Sequence, residues 1–214
     1  MIIMGITNRK LCINLYEQIN KIAKSKLDYL IIREKDLDNI KLAELVLEIK
    51  RRLKNTNIKI IINTNVEIAK QTNADGIQLS FKNFIEMTSG SYTGNTKKYI
   101  EIDDHYNKSK KYEIYKLIGV SIHSFEEGIE AYKLGADYLL YGHVFETDCK
   151  KDISPRGTKD IEKLSKNIDI PIIGIGGISK DNFGKVINSG ADGIAIMSSL
   201  MKDKNPKELI EAMF

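Results

Sequence analysis

Only two cysteines occur in the 214 residues, Cys12 and Cys149, and they form neither a metal-binding spacing nor a disulfide framework, so a reducing compartment, the cytoplasm, is the expected location. No apolar run approaches the roughly 20 residues of a membrane span. The first residues enter a strand pattern at once, without the charged and apolar regions of a leader, which leads to the expectation of no membrane association. No basic run alternates with aromatics, and 33 basic against 29 acidic residues give a dispersed net charge of +4, so nucleic acid is not an expected partner. Nucleophile signatures are missing as well. There is no Gly-x-Ser-x-Gly elbow, and Cys149 follows Asp148 with only Lys150 beside it to favour a thiolate.

What remains is rhythm. Eight apolar runs recur: Ile2–Thr7, Tyr29–Arg33, Ile58–Asn63, Gly76–Leu79, Leu117–Ser121, Tyr138–Tyr141, Ile172–Ile175 and Gly193–Met197. They are continuous in Ile, Val and Leu instead of alternating with polar residues, as strands covered on both faces are. Helical patterns lie between them: Ile40–Leu53, with Ile40, Ala43, Leu45, Val46, Leu47, Ile49 and Leu53 mostly on one face, then Phe125–Leu134, Ile161–Ile168 and Asp181–Asn188, the last with Gly190 as its cap. Eight βα units in order predict a single α/β domain over residues 1–214, a parallel (β/α)₈ TIM barrel; an open eight-stranded sheet is the alternative. Residues 83–116 break the rhythm. This polar stretch, with SGSYTG (Ser89–Gly94) and YIEID (Tyr99–Asp103), is expected to be a surface excursion in place of a fourth helix, with His105 in solvent.

The last two units, PIIGIGGIS (Pro171–Ser179) and ADGIAIMSS (Ala191–Ser199), end in small residues and pass straight into helix. That pairing after strands seven and eight predicts a phosphate site on backbone N–H groups, where glycine lets the chain approach an anion closely. The other strand ends supply Thr7, Arg33-Glu34-Lys35, Asn63, Gln78, Ser80, Ser121, His123, Gly142, His143 and the 146–151 segment. This set is rich in proton carriers and cations. His123, just past GVSIHS's apolar run, can give or take a proton near neutrality, or it can cap the helix starting nearby. Glu34, between Arg33 and Lys35, reads as a proton carrier or as part of a solvated cluster.

The segments LIIREKD (Leu30–Asp36), KIIINTNVEIA (Lys59–Ala69), ADGIQLS (Ala74–Ser80), GVSIHS (Gly119–Ser124), YGHVFETDCKK (Tyr141–Lys151), IGGIS and ADGIAIMSS together resemble the thiamine-phosphate synthase superfamily. The resemblance covers nearly the whole chain outside the excursion. One branch of that superfamily joins a pyrimidine pyrophosphate to a thiazole phosphate and uses Mg²⁺ to neutralise the departing pyrophosphate. Its acidic residues after strands three and four are matched here by Thr64 and by Ser80-Phe81-Lys82-Asn83, which leaves Mg²⁺ without a carboxylate anchor. The other branch is the thiazole tautomerase, similar in GHVFETDCKK and in Ser121–Ser124.

The second resemblance implies a metal-independent, cofactor-free isomerase of thiamine biosynthesis that converts a non-aromatic thiazole carboxylate phosphate to its aromatic tautomer. It implies His123 and Glu34 as the acid/base pair, the order of their roles being open. It further implies Lys35, Asn63 and Lys150 on the substrate and Gly176, Gly177, Met197 and Ser198 on its phosphate. The implied partners are the thiazole phosphate, a transient contact with thiazole synthase, and a second copy in a homodimer. A Mg²⁺-dependent synthase and a non-catalytic thiazole-phosphate-binding regulator are the alternatives.

Overall fold

The computed structural model describes residues 1–89, 116–150 and 152–214. Eight parallel strands close on themselves in sequence order. They are β1 (Ile2–Ile6), β2 (Tyr29–Ile32), β3 (Lys59–Asn63), β4 (Gly76–Ser80), β5 (Ile118–Ile122), β6 (Tyr138–Gly142), β7 (Ile172–Ile175) and β8 (Gly193–Ile196), and β8 pairs back onto β1. The barrel expectation holds, and the observed strands lie within a residue or so of the expected ones. Around it run α1 (Leu15–Ile22), α2 (Asn39–Leu53), α3 (Val66–Gln71), α4 (Phe81–Thr88), α5 (Phe125–Lys133), α6 (Lys159–Ser165), α7 (Phe183–Asn188), α8 (Ser198–Lys202) and α9 (Pro206–Glu211). Side-chain oxygens of Asn14, Asp38, Asn65, Ser80 and Ser124 accept the first free N–H groups of α1 to α5 and set where each begins. Among the described residues no helix is long and apolar enough to cross a membrane.

Two expectations are corrected. The chain from Phe81 to Thr88 is helical, so α4 occupies the start of the stretch expected to be an excursion; Phe84 and Met87 are buried one turn apart, too short a period to stand out. Residues 90–115, with YIEID (Tyr99–Asp103), which could form an extra short strand, and His105, lie outside the described residues. In α2 the buried face is Leu42, Ala43, Leu45, Val46, Ile49 and Leu53, while Ile40 and Leu47 face outward at 74% and 54% exposure.

Because successive strand residues point to opposite faces, the strands fill two separate cores. One side packs against the helices, through residues such as Ile3, Ile32, Ile62, Val120 and Ile194. The other fills the barrel axis with Met4, Ile6, Ile31, Ile61, Tyr138, Leu140, Ile173 and Ala195. This parity decides which functional residues enter the mouth.

The opposite, N-terminal end is stitched by a repeated device. Asp28, Asp75, Asp137 and Asp192 each stand just before an even-numbered strand or at its edge. Their carboxylates accept the N–H of Ile3, Ile60, Ile118 and Ile172 at 2.8, 2.8, 2.6 and 2.9 Å. Their own N–H groups donate to the carbonyls of the same four residues at 3.1, 2.8, 2.9 and 2.9 Å. Each aspartate therefore satisfies both backbone groups of one residue in the preceding strand, tying strands together in pairs where the ladder would otherwise fray.

Candidate active site

Arg33 has the parity of Ile31 and enters the axis; Glu34 has that of Ile32 and turns toward the helices. The consequence is two cavities. A mouth cavity of about 1310 Å³ is lined by Arg33, Asn63, Gln78, Ser121, His123, Lys150 and the loops after β7 and β8, including Gly176, Gly177, Met197 and Ser198. A smaller one of about 530 Å³, between the loops after β2, β3 and β4, is lined by Glu34, Lys35, Asn63, Thr64, Glu67, Ser80 and Asn83. The structure thus brings His123, Asn63, Lys150, Gly176, Gly177, Met197 and Ser198 together and leaves Glu34 and Lys35 next door. Asn63 borders both, its amide donating to the Thr64 hydroxyl at 3.0 Å.

On the phosphate side, Gly176 and Gly177 adopt φ values of 101° and 64°. A Cβ on Gly177 would run into the Glu146 carbonyl and Phe145, so the β7 loop lies directly against the segment after β6. Val144 N–H donates to the Ile175 carbonyl at 2.8 Å and Phe145 N–H to that of Gly176 at 3.0 Å. The Asn182 amide donates to the Gly177 carbonyl at 2.9 Å while its Oδ1 accepts the Ser179 N–H at 2.8 Å. The glycine turn is held from both sides.

Two cations also line the mouth, Arg33 and Lys150. Thr7, fully buried, accepts the Arg33 N–H on its hydroxyl at 3.0 Å and fixes where that side chain leaves β2. Lys150 is half-buried, and burial, then Arg156 and Arg33, push its pKa below the ordinary lysine value. A site that depresses an ammonium in this way is one that gains by taking an anion. Among the described residues neither Arg33 nor Lys150 forms an ion pair.

His123 is set by its neighbours. Nδ1 lies 2.7 Å from the Gly142 carbonyl, the Nδ1–H donating there, which leaves Nε2 for the cavity. Its backbone N–H donates to Glu127 at 2.6 Å, and Ser124, not His123, caps α5. Glu34 is 6% exposed and fully engaged: it accepts the Arg9 backbone N–H at 3.0 Å and pairs with the Arg9 guanidinium at 3.1 Å. Arg9 in turn forks onto Asp36 at 2.7 and 2.9 Å, holding that carboxyl well below its usual range. Sequence reasoning placed Thr7, Gln78 and Ser121 at strand ends without a role, and it missed Arg9 and Tyr138. Tyr138 looked like one more apolar strand residue.

A family model described as thiamine monophosphate synthase matches residues 3–86 and 101–200. The chain belongs to that family. It is 29% identical over 211 residues to the thiamine-phosphate synthase of Clostridium acetobutylicum, covering 98% of this chain and 91% of that one. It is 32% identical over 173 residues to the thiamine-phosphate synthase of Clostridium novyi, covering 80% and 76%. Among solved structures it is similar to thiamine phosphate pyrophosphorylase from Pyrococcus furiosus, with a TM-score of 0.77 at 26% identity, over 99% of this chain and 93% of that one. These relatives are enzymes of thiamine biosynthesis, and they correct the isomerase expectation: the names they carry are those of the synthase. His123 borders the mouth cavity and Glu34 the smaller one, where it is tied to Arg9.

Proposed function

We propose that this chain is a thiamine-phosphate synthase, a transferase that joins a pyrimidine pyrophosphate to a thiazole phosphate and releases pyrophosphate. The observation that carries the reading, beside the family, is a single mouth cavity lined by the glycine turn and by the cations Arg33 and Lys150. A thiazole phosphate held by the turn would share it with a pyrophosphate held by the cations.

In the joining step the thiazole nitrogen lone pair forms the new N–C bond as the C–O bond to pyrophosphate breaks, and the bonding pair leaves on the pyrophosphate oxygen. No proton moves, so neither a general base nor a nucleophilic side chain is required. Negative charge builds on the leaving group, and preorganised cations aimed at such charge are the most effective help a site gives. Arg33, positioned through Thr7, and Lys150 supply them. His123 presents Nε2, the acceptor nitrogen of a ring whose orientation is fixed by the Gly142 carbonyl.

The donor set does not fit the Mg²⁺ of the superfamily. The turns after β3 and β4 offer Thr64, Ser80 and Asn83 where carboxylates would anchor it, and among the described residues no group of three His, Cys, Asp or Glu side chains is placed to hold a metal ion. The test is a coupling assay on the purified chain with both substrates, following thiamine phosphate by chromatography, once in Mg²⁺ and once in EDTA. Product in either condition supports the proposal; none in both overturns it.

A further inference from the structure

Below the mouth, the barrel axis gives up its apolar filling for a polar file across three strands. Gln78 of β4, Gly119 of β5 and Tyr138 of β6 stand in register, and Ser121 lies one inward position above Gly119. The Tyr138 hydroxyl donates to Gln78 Oε1 at 2.5 Å, and Gln78 Nε2 donates to Ser121 Oγ at 2.9 Å. Gly119 makes the file continuous. A Cβ there would occupy the space taken by the Tyr138 phenol end and Gln78 Oε1. Tyr138 and Gln78 are 2% and 1% exposed, yet Ser121 and Gln78 both reach the mouth cavity.

Burying a phenol and a carboxamide is costly unless each is partnered, and an apolar pair would fill the axis as the other strands do. The file has a use if its end matters. Burial drives the Tyr138 hydroxyl far above its ordinary acidity range, so it stays protonated and remains a donor. Its proton goes to Gln78 Oε1, which turns the Gln78 NH₂ toward Ser121. With that Oγ lone pair occupied, the Ser121 O–H is left to donate upward into the cavity.

We propose that Tyr138 and Gln78 are positioning residues that fix Ser121 as a hydrogen-bond donor to an anionic oxygen of the ligand in the mouth, of the pyrophosphate class. The class of ligand rests on the synthase reading. The arrangement of donors does not.

The experiment is a double-mutant cycle on inorganic pyrophosphate binding, measured by calorimetry for the parent, Ser121→Ala, Tyr138→Phe and the double variant. Each single change is expected to weaken binding by about 10-fold or more, the usual loss for a hydrogen bond to a charged acceptor. Because Tyr138 acts only through Ser121, the double variant should bind no worse than Ser121→Ala alone. Ser121→Thr, which keeps the hydroxyl, should restore most of the affinity. A second readout uses the parent protein: the Gln78 side-chain amide resonances should shift on adding pyrophosphate, and should not in Ser121→Ala. Multiplicative losses in the cycle, failure of the parent to bind pyrophosphate, or an unresponsive Gln78 amide would each overturn the proposal. A parent that binds pyrophosphate through Ser121 but forms no thiamine phosphate would sink the synthase reading and leave the relay standing.

Discussion

Glu34 grips Arg9 twice, through the backbone N–H at 3.0 Å and the guanidinium at 3.1 Å, and so ties the segment after β1 to the segment after β2. Asp36 and Lys10 extend the same bridge, with Lys10 Nζ 3.0 Å from Asp36. A carboxylate committed in this way shapes the mouth from outside. Glu34→Gln is therefore expected to lower kcat by less than about 10-fold, far from the 10²–10⁴-fold loss of a proton-transfer group. It should cost about 1.5–3 kcal/mol in urea unfolding, the range for hydrogen bonds to charged groups. A hundredfold fall in kcat at unchanged stability would give Glu34 a chemical role instead.

The burial of Lys150 beside Arg156 and Arg33 opposes stability at neutral pH. Its folded pKa lies below 10.5 because of burial and of Arg156 and Arg33. The unfolded chain then holds more protons between the folded value and 10.5, so stability rises with pH through that window and is lower beneath it. Lys150→Met should raise the melting temperature at neutral pH, remove that alkaline rise, and weaken pyrophosphate binding. Melting curves from pH 7 to 11 on both proteins check the sign; a parent curve without an alkaline rise relative to the variant would refute it.

The barrel was legible because its strands are covered on both faces and read as unbroken Ile, Val and Leu runs. The same property hid the site's parity. Alternation marks the inner face only when the outer one is polar, and here Ile31 and Ile32 look alike, so nothing in the sequence separates Arg33, inside, from Glu34, outside. The glycine turn and His123 were readable from their positions past strand ends. The Tyr138–Gln78–Ser121 file was not, because it depends on register across β4, β5 and β6. The aspartates before β2, β4, β6 and β8 recur as Leu-Asp-Tyr, Ala-Asp-Gly, Ala-Asp-Tyr and Ala-Asp-Gly, but their partners are 15 to 25 residues upstream.

Those aspartates should be the barrel's most sensitive exposed-end positions, and Asp137 separates their two components. Burial pushes its pKa up, while the Ile118 N–H pulls the other way. A raised folded value means that stability from this group is complete below about 3.8 and declines as pH rises through the folded pKa. Asp137→Asn keeps an acceptor for Ile118 without the charge, and should lie within about 1 kcal/mol of the parent at pH 7. Its standing relative to the parent should worsen as pH falls through the acid range. Asp137→Ala strands the N–H and should cost about 1–3 kcal/mol. Equal losses in Asn and Ala, by urea unfolding, would show that the charge itself holds the strand.

Gly177 and Gly157 share a left-handed backbone, with φ of 64° and 69°, but only one of them is crowded. A side chain on Gly157 meets nothing within 4 Å, so Gly157→Ala should cost only the left-handed penalty of about 1–2 kcal/mol and leave phosphate binding unchanged. Gly177→Ala carries the same penalty and also pushes against the Glu146 carbonyl and Phe145, which are backbone-anchored and cannot swing aside. The turn must then move, and it lines the cavity where phosphate is expected. Inorganic phosphate affinity should fall by about 10-fold or more, the scale of losing one good hydrogen bond to an anion. Calorimetric titration of the two variants separates strain from site: equal phosphate affinity in both would mean that the turn after β7 does not hold the anion.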